Sequence, residues 1–244
     1  MLKTITCEMN FMDKLINYHK PAEARLFALL LTFSGGFIDA FTYIKCGRTM
    51  AAAQTGNIIF LSAALANHNF LGVVDRLGSL IAFIIGLAMV SILHARLRTD
   101  YWRVVCLLPI LLVGTVIGFL PDTFPDYLMV PAVSFGLAMQ SAAFSKIEGL
   151  GYNSVFTSGS VKKAAVAWSE YYFHHDYSQR KAALSYLTIV ICFTLGAIIS
   201  AQLLPFFRMK TIWIATFLIL VTDSSYYLTK KKKANKNNRQ KKES

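Results

Sequence analysis

The architecture of this chain follows from the stretch Gly35-Gly36-Phe37-Ile38-Asp39-Ala40, with Gly47 and Gln54-Thr55-Gly56-Asn57 after it. A related stretch begins roughly a hundred residues later and reads Gly136-Leu137-Ala138-Met139-Gln140-Ser141-Ala142, then Gly149, then Thr157-Ser158-Gly159-Ser160. Both stretches place polar residues and glycines within apolar sequence. A duplicated element of this kind predicts a structural repeat, and in a membrane domain it is typical of a duplicated solute pathway.

The composition around these stretches indicates a membrane protein. Hydrophobic residues make up 55% of the chain, charged residues 16%, and the mean hydropathy is +0.47, whereas soluble domains carry roughly 25% charged residues. We predict six membrane-spanning helices, over 26–45, 78–95, 104–120, 128–146, 184–204 and 211–228. Each is close to the ~20 residues that cross a bilayer as a helix, and each is continuously apolar rather than alternating as a barrel strand would be. The expected fold is an all-α integral membrane protein with one transmembrane domain over 26–228.

Two shorter segments, 50–66 and 155–170, are harder to place. The first is interrupted by Thr55-Gly56-Asn57, after which the apolar residues extend only about 14 Å as a helix. The second carries Lys162 and Lys163 on what reads as a short amphipathic helix. The sequence leaves open whether these segments are re-entrant, interfacial or spanning.

The distribution of basic residues favours six spans. If neither short segment crosses, 20 basic residues lie on the cytoplasmic side and five outside; if both cross, the numbers are 15 and eight. Lys162 and Lys163 would then lie within a span, which is costly. The positive-inside rule therefore predicts six spans, with a cytoplasmic N-terminal segment 1–25 and a disordered basic cytoplasmic tail 229–244.

Three spans in each half imply that the second half is inverted relative to the first. The predicted repeats are 26–120 and 128–228, each with one short helix that begins with polar residues. Inverted repeats with broken helices hold their solute site at the repeat interface. Two helix N-termini that face each other there would favour a neutral or anionic solute. The alternative is that the glycines only permit close helix packing and the hydroxyl groups satisfy each other.

Asp39 is an ionisable residue within a predicted span, which makes it a functional candidate. Its expected neighbours include Thr42, Tyr43 and Gln54. The sequence gives equal weight to a structural role, such as binding the backbone of the broken segment, and to a role in proton coupling or solute binding. Asp223 also lies within a span, and we expect it to reach the interface or to cap a helix.

The predicted solute-binding residues come from both halves. They are Asp39, Tyr43, Gln54, Thr55, Gly56, Asn57, Gln140, Ser158, Gly159 and Ser160. No sequence motif for a catalytic nucleophile, a metal site or a nucleotide site is present, so we expect no catalytic residues, no metal and no cofactor. The prediction is a small-solute transporter or channel rather than an enzyme. A scaffold or regulatory membrane protein without transport is the alternative.

The lysine-rich tail from Lys230 to Lys242 suggests two kinds of partner. Beside a terminal span, we interpret it as a topology signal that also binds anionic lipid headgroups, and we expect no nucleic acid. The expected partners are therefore the lipid bilayer and an unidentified small solute. The sequence leaves the oligomeric state open, with a homo-oligomer as one alternative.

The two stretches resemble the YoaK-like family of uncharacterised bacterial inner-membrane proteins. The resemblance covers residues 25–228, and the matching motif positions are Gly36, Asp39, Ala40, Gly47, Thr55, Gly56, Asn57, Gln140, Ala142 and Gly159. It implies a six-span protein of the cell membrane with no settled activity. The second stretch departs from the fuller Thr-Gly pattern, since Ser158 precedes Gly159.

Overall fold

The structure is a computed structural model that describes residues 21–97 and 101–243, without the side chains of residues 233 and 236–243. It is a bundle of helices with one two-residue β-hairpin, β1 (Lys146–Ile147) and β2 (Leu150–Gly151). The helices are α1 (Arg25–Lys45), α2 (Gln54–Ala66), α3 (Phe70–Arg96), α4 (Trp102–Ile117), α5 (Asp126–Ala143), α6 (Ser158–Phe173), α7 (Gln179–Phe207) and α8 (Ile212–Glu243). Short 3₁₀ turns cover Pro21–Glu23 and Arg208–Thr211.

Each apolar segment of the sequence corresponds to a helix. The six predicted spans fall on α1, α3, α4, α5, α7 and α8, and the two shorter segments fall on α2 and α6. The largest difference at the start of a span is at α3, which begins at Phe70 rather than at residue 78. Its start is capped by Asn69, whose side chain accepts a hydrogen bond from the Gly72 N–H. The charge of Arg76 is accommodated because its guanidinium donates to the carbonyl oxygens of Gly72 and Gly47.

Three segments are long and apolar enough to cross a membrane. They are Arg25–Lys45, Phe70–Arg96 and Gln179–Lys232, and the last of these contains α7 and the first part of α8. Large apolar side chains are exposed on the outside of the bundle, including Ile84, Leu112, Ile191 and Phe217 from four different helices. Such a surface is suited to lipid. The fold is therefore that of an all-α membrane protein.

Helix packing follows the same pattern in the first half (α1 to α4) and the second half (α5 to α8). The first helix of each half packs mainly against the third helix of the other, α1 against α7 and α5 against α3. The last helix of each half also contacts the first helix of the other half: α4 contacts α5, and α8 contacts α1. The short helices α2 and α6 pack on α3 and α7 of their own halves. Neither half forms a bundle by itself.

Contacts at the two ends of the bundle fix the directions of the helices. The ring of Tyr226 lies 6.2 Å from that of Phe27 near the start of α1 and 5.5 Å from that of Phe144 just after α5. At the opposite end, Asp122 forms ion pairs with Lys45 (2.9 Å) and Arg208 (2.8 Å). We call these the Tyr226 end and the Asp122 end. The start of α1 and the end of α5 share the Tyr226 end, so α1 and α5 run in opposite directions.

Glycines allow the closest of these helix contacts. A Cβ atom added to Gly36 would overlap the carbonyl oxygen of Phe193, and one added to Gly196 would overlap that of Phe33. These two glycines bring α1 and α7 together from both sides. Packing between backbones at such small residues is the usual way that helices associate in lipid.

The basic tail differs from its prediction. The structure continues α8 through the lysine-rich sequence to Glu243, in place of the expected disordered tail 229–244. Lysine is a good helix former, and extending an existing helix avoids the cost of a new nucleus. Of the predicted N-terminal segment 1–25, residues 1–20 lie outside the described residues.

Candidate functional site

The segment between α1 and α3 enters and leaves the bundle at the Asp122 end. Gly47, near its beginning, accepts a hydrogen bond of 3.1 Å from Arg76. Asn67 and Asn69, which follow α2, line a small cavity together with the same Arg76. The backbone between these points reaches inward to Asp39. Both ends of segment 46–69 therefore lie at the Asp122 end, while its middle turns into the bundle.

The inward tip of this segment is held by two polar side chains of α1. The Ala52 N–H donates to the Asp39 carboxylate (2.8 Å), and the Ala51 N–H donates to the Thr42 hydroxyl (3.1 Å). Asp39 is only 6% exposed. Since α2 begins at Gln54, Asp39 supplies an acceptor beside its first turn from another helix, much as an N-cap residue would. This contact favours the structural role for Asp39.

Asn57 closes the tip from the other side. Its side-chain oxygen accepts from the Met50 N–H (3.0 Å), and its amide nitrogen donates to the Met50 carbonyl (2.6 Å) and to Ser79 (3.2 Å). Ser79 in turn shares a hydrogen bond of 2.7 Å with Ser134 of α5. Asn57 is 1% exposed. It therefore joins segment 46–69 to both halves of the chain, and its own side chain is buried.

The corresponding loop of the second half, residues 144–157, is held differently. Gln140, which matches Asp39 in the sequence, is fully buried and donates to the Leu31 carbonyl (3.1 Å) and to Ser154 (3.5 Å). Gly35 packs against the Ser154 carbonyl, so α1 supports this loop directly. In the described structure, the residue before α6, Thr157, forms no side-chain cap. The start of α6 therefore lacks the carboxylate that α2 receives.

The starts of α2 and α6 meet at one cavity of about 560 Å³. Polar side chains reach it from three places: Asp39 in α1, Gln54 and Thr55 at the start of α2, and Thr157 and Ser158 at the start of α6. The remaining walls are mostly apolar and include Met50, Leu80, Phe83, Phe156 and Phe193. Both halves of the chain contribute to this cavity, which we call the central cavity.

The structure divides the predicted solute-binding residues into three groups. Asp39, Gln54, Thr55 and Ser158 line the central cavity, and Gly159 and Ser160 line a second cavity beside it. The other four, Tyr43, Gly56, Asn57 and Gln140, line neither of the two. Tyr43 packs against the ring of Phe60 (6.2 Å), and Gly56 lies against the Met50 side chain. Asn57 and Gln140 hold the loops.

Several residues of this region were not singled out from the sequence. Ser79 and Ser134 complete the hydrogen-bond network of the first loop, and their position within apolar helices is a signal that could have been used. Phe83, Phe156 and Phe193 line the central cavity. Phenylalanines are common throughout the apolar sequence, so no pattern distinguishes these three.

Two further acidic residues, Asp122 and Asp223, lie outside the central cavity. Hydrogen bonds from Lys45 and Arg208 hold the pKa of Asp122 below its usual value. Asp223 is 6% exposed, and one of its carboxylate oxygens has no hydrogen-bond partner among the described residues. The expectation that Asp223 reaches the interface was therefore wrong, because its side chain is buried against the bundle.

Comparison with known proteins places the chain in a family. Residues 27–222 match the family described as protein of unknown function (DUF1275). The chain is 26% identical over 199 residues to the UPF0700 transmembrane protein YoaK of Bacillus subtilis (strain 168), a match that covers 78% of this chain and 88% of the relative. No solved structure matches the chain. Its apolar helices and the family match together make this chain a transmembrane protein of the DUF1275 family, as the resemblance to YoaK-like proteins predicted.

Proposed function

We propose that this protein is a transporter or channel for a small solute, with its site in the central cavity. The observation that carries the proposal is that both short helices begin at this cavity, one from each half of the chain. Solute sites in transporters are typically formed where broken helices of two repeats meet. Backbone that is not helical at membrane depth is tolerated only when it is buried in protein or lines water.

The proposal includes six membrane spans arranged as two inverted repeats. The opposite directions of α1 and α5 and the matched packing of the two halves support the inversion. Helices α4 and α5, of 16 and 18 residues, are the shortest of the six and would span as about 24 and 27 Å of helix. If the Tyr226 end faces the cytoplasm, both termini lie on the cytoplasmic side of the bacterial cell membrane.

The basic tail fits this orientation. As part of α8, its lysines extend beyond the Tyr226 end, where they would meet anionic lipid headgroups. We propose this lipid contact, with no nucleic acid, as the function of the tail. The proposed activity is solute movement without catalysis, cofactor or metal. It requires only one chain, and a homo-oligomer is compatible with it.

A flux assay tests the proposal. The purified protein is reconstituted in liposomes, and permeability is measured for a panel of amino acids, organic acids, sugars and inorganic anions. Ser158→Cys and Ser62→Cys are compared on a background without native cysteines, because Ser158 lines the central cavity and Ser62 lies on the exposed side of α2. A membrane-impermeant thiol reagent should block flux through Ser158→Cys only. Absence of flux for every solute, with folded protein, would favour the scaffold or regulatory alternative.

Asp39→Asn separates the two roles of Asp39. Asparagine keeps a side-chain oxygen that accepts the Ala52 N–H, so the variant should fold and melt within a few degrees of the wild type. If Asp39 only positions the loop, the variant should also keep the flux of the wild type and the pH dependence of that flux. Flux that becomes independent of pH in a folded Asp39→Asn protein would instead assign proton coupling to this carboxylate.

A further inference from the structure

A second cavity, of about 330 Å³, lies beside the first turn of α6. Its lining residues are Ser145, Gly151, Tyr152, Asn153, Phe156, Gly159, Ser160 and Lys163, and none of them is acidic. It is near the Tyr226 end, since Ser145 directly follows Phe144. Phe156 belongs to the walls of both cavities and lies between them. We call it the α6 cavity.

The charges around the α6 cavity are positive. Gly159 and Ser160 belong to the first turn of a helix of 16 residues, whose N–H groups carry a partial positive charge. The Lys163 ammonium group lies one turn further and donates to the Gly151 carbonyl at 2.7 Å. At the start of α2 the Asp39 carboxylate offsets this positive charge, whereas α6 has no side-chain cap in the described structure.

A buried serine at this cavity lacks a hydrogen-bond partner. Ser160 is 4% exposed and lines the cavity, and its hydroxyl group forms no hydrogen bond with the described residues. Polar groups of buried residues are normally paired, so this hydroxyl points to a ligand that accepts hydrogen bonds. The hydroxyl group of Tyr152 also lacks a partner among the described residues, but it is enclosed by the protein and does not open onto the cavity.

We propose that the α6 cavity binds a phosphate group. The first-turn N–H groups of α6 and the hydroxyl group of Ser160 would donate to its oxygens, and the Lys163 ammonium would balance its charge. The cavity is larger than a phosphate ion, which leaves room for an organic substituent. The same chemistry is offered by free inorganic phosphate, by a phosphorylated solute and by the headgroup of an anionic lipid.

The test uses the full chain and two variants that differ in one position. Lys163→Gln removes the ammonium group at the cavity, and Lys162→Gln removes an equal charge from the neighbouring residue, which does not line it. In detergent, binding of inorganic phosphate is measured by titration calorimetry. In nanodiscs, the rise in melting temperature on replacing phosphatidylcholine by phosphatidylglycerol is measured. Ser160→Ala serves as a second cavity variant, because its removed hydroxyl belongs to the cavity lining and has no partner to lose within the described chain.

The expected result is binding that Lys163→Gln weakens about tenfold or more, while Lys162→Gln leaves it within about twofold of the wild type. Binding in the detergent arm identifies a soluble phosphate as the ligand, and stabilisation only in phosphatidylglycerol identifies a lipid headgroup. Equal losses in the two lysine variants, or no binding in either arm, would overturn the site. Because no flux is measured, the site can stand or fail independently of transport.

Discussion

Helices α2 and α6 begin at the same cavity, yet their starts are held in opposite ways. The start of α2 is tied down by Asp39, which accepts from Ala52, and by Asn57, which binds Met50 through two hydrogen bonds. At α6, Gln140 binds a carbonyl of α1 instead, and the first turn has no side-chain cap in the described structure. The two starts therefore differ: that of α2 is closed by polar residues of the protein, and that of α6 keeps its donors available.

This difference predicts that the polar residues near α2 contribute mainly to folding stability and those at the start of α6 mainly to ligand binding. Polar residues of the first loop have several buried partners each, so removing one leaves groups unsatisfied. Polar residues at the start of α6 have few partners within the protein, so their removal should cost little folding free energy and should act on ligands instead. Matched substitutions in the two halves examine this division directly.

The glycines give the strongest contrast. A Cβ atom in Gly35→Ala would overlap the Ser154 carbonyl oxygen, whereas one in Gly159→Ala meets no atom within 4 Å. We expect Gly35→Ala to lower the free energy of unfolding by about 3 kcal/mol, since backbone has to move. Gly159→Ala should leave it almost unchanged. The melting temperatures of the two variants are compared by size-exclusion chromatography of heated samples. Equal melting temperatures would contradict the close contact between Gly35 and the Ser154 carbonyl.

Asn57→Ala and Ser160→Ala test the polar residues. Asn57→Ala leaves the Met50 N–H without its acceptor and removes one of the two hydrogen bonds to the Met50 carbonyl, the other being donated by Ser79; we expect it to cost about 2 kcal/mol. Ser160→Ala removes a hydroxyl that has no partner among the described residues, so its melting temperature should match that of the wild type. A large loss of stability in Ser160→Ala would show that the two starts are held alike.

The caps of the long helices differ in the same sense. Asn69 caps α3 through the Gly72 N–H, while Ser178 makes no such cap for α7 in the described structure. Asn69→Ala should therefore destabilise the protein by about 1 kcal/mol. Ser178→Ala should have a smaller effect, because only its contact with exposed Asp176 is lost. Denaturation in a mild detergent, followed by the change in helical circular dichroism, compares the two variants.

The smallest expected effect belongs to Asp122, which joins both halves through Lys45 and Arg208. Its pKa is lower in the folded chain than its ordinary value of 3.8. Its contribution to stability is therefore fully present above that ordinary value and is lost as the pH falls through the lowered one. Since the group is exposed, the effect should be small. Melting temperatures measured down to about pH 3 should fall less steeply in Asp122→Asn than in the wild type.

Much of the helical framework could be predicted because apolar runs and span lengths are local properties. The segments around α1, α4 and α5 differ from the observed helices by only a few residues at either end. The start of α3 could not be predicted, because the burial of Arg76 depends on Gly47 in a different segment. Similarly, the tail reads as disordered when taken alone and is helical as a continuation of α8.

The candidate site was predictable in part for the same reason. The two polar stretches correctly indicated where the two short helices begin, and four of the predicted solute-binding residues line the central cavity. Sequence could not separate those four from Asn57, because the difference lies in which side of α2 faces Met50. The aromatic walls come from three separate segments, and their meeting is a property of the packed bundle.

The packing of α1 against α7 has a consequence for biogenesis. During synthesis, α1 leaves the ribosome well over a hundred residues before its main partner, which at 5–20 residues per second is a delay of roughly eight to thirty seconds. Throughout that time Gly36 and its neighbours face lipid or the insertion machinery, without Phe193 against them. An incomplete chain that contains only the first half is thus the form of this protein most exposed to quality-control proteases. Slow translation of α7 would therefore lower the yield of the protein before any folded molecule existed.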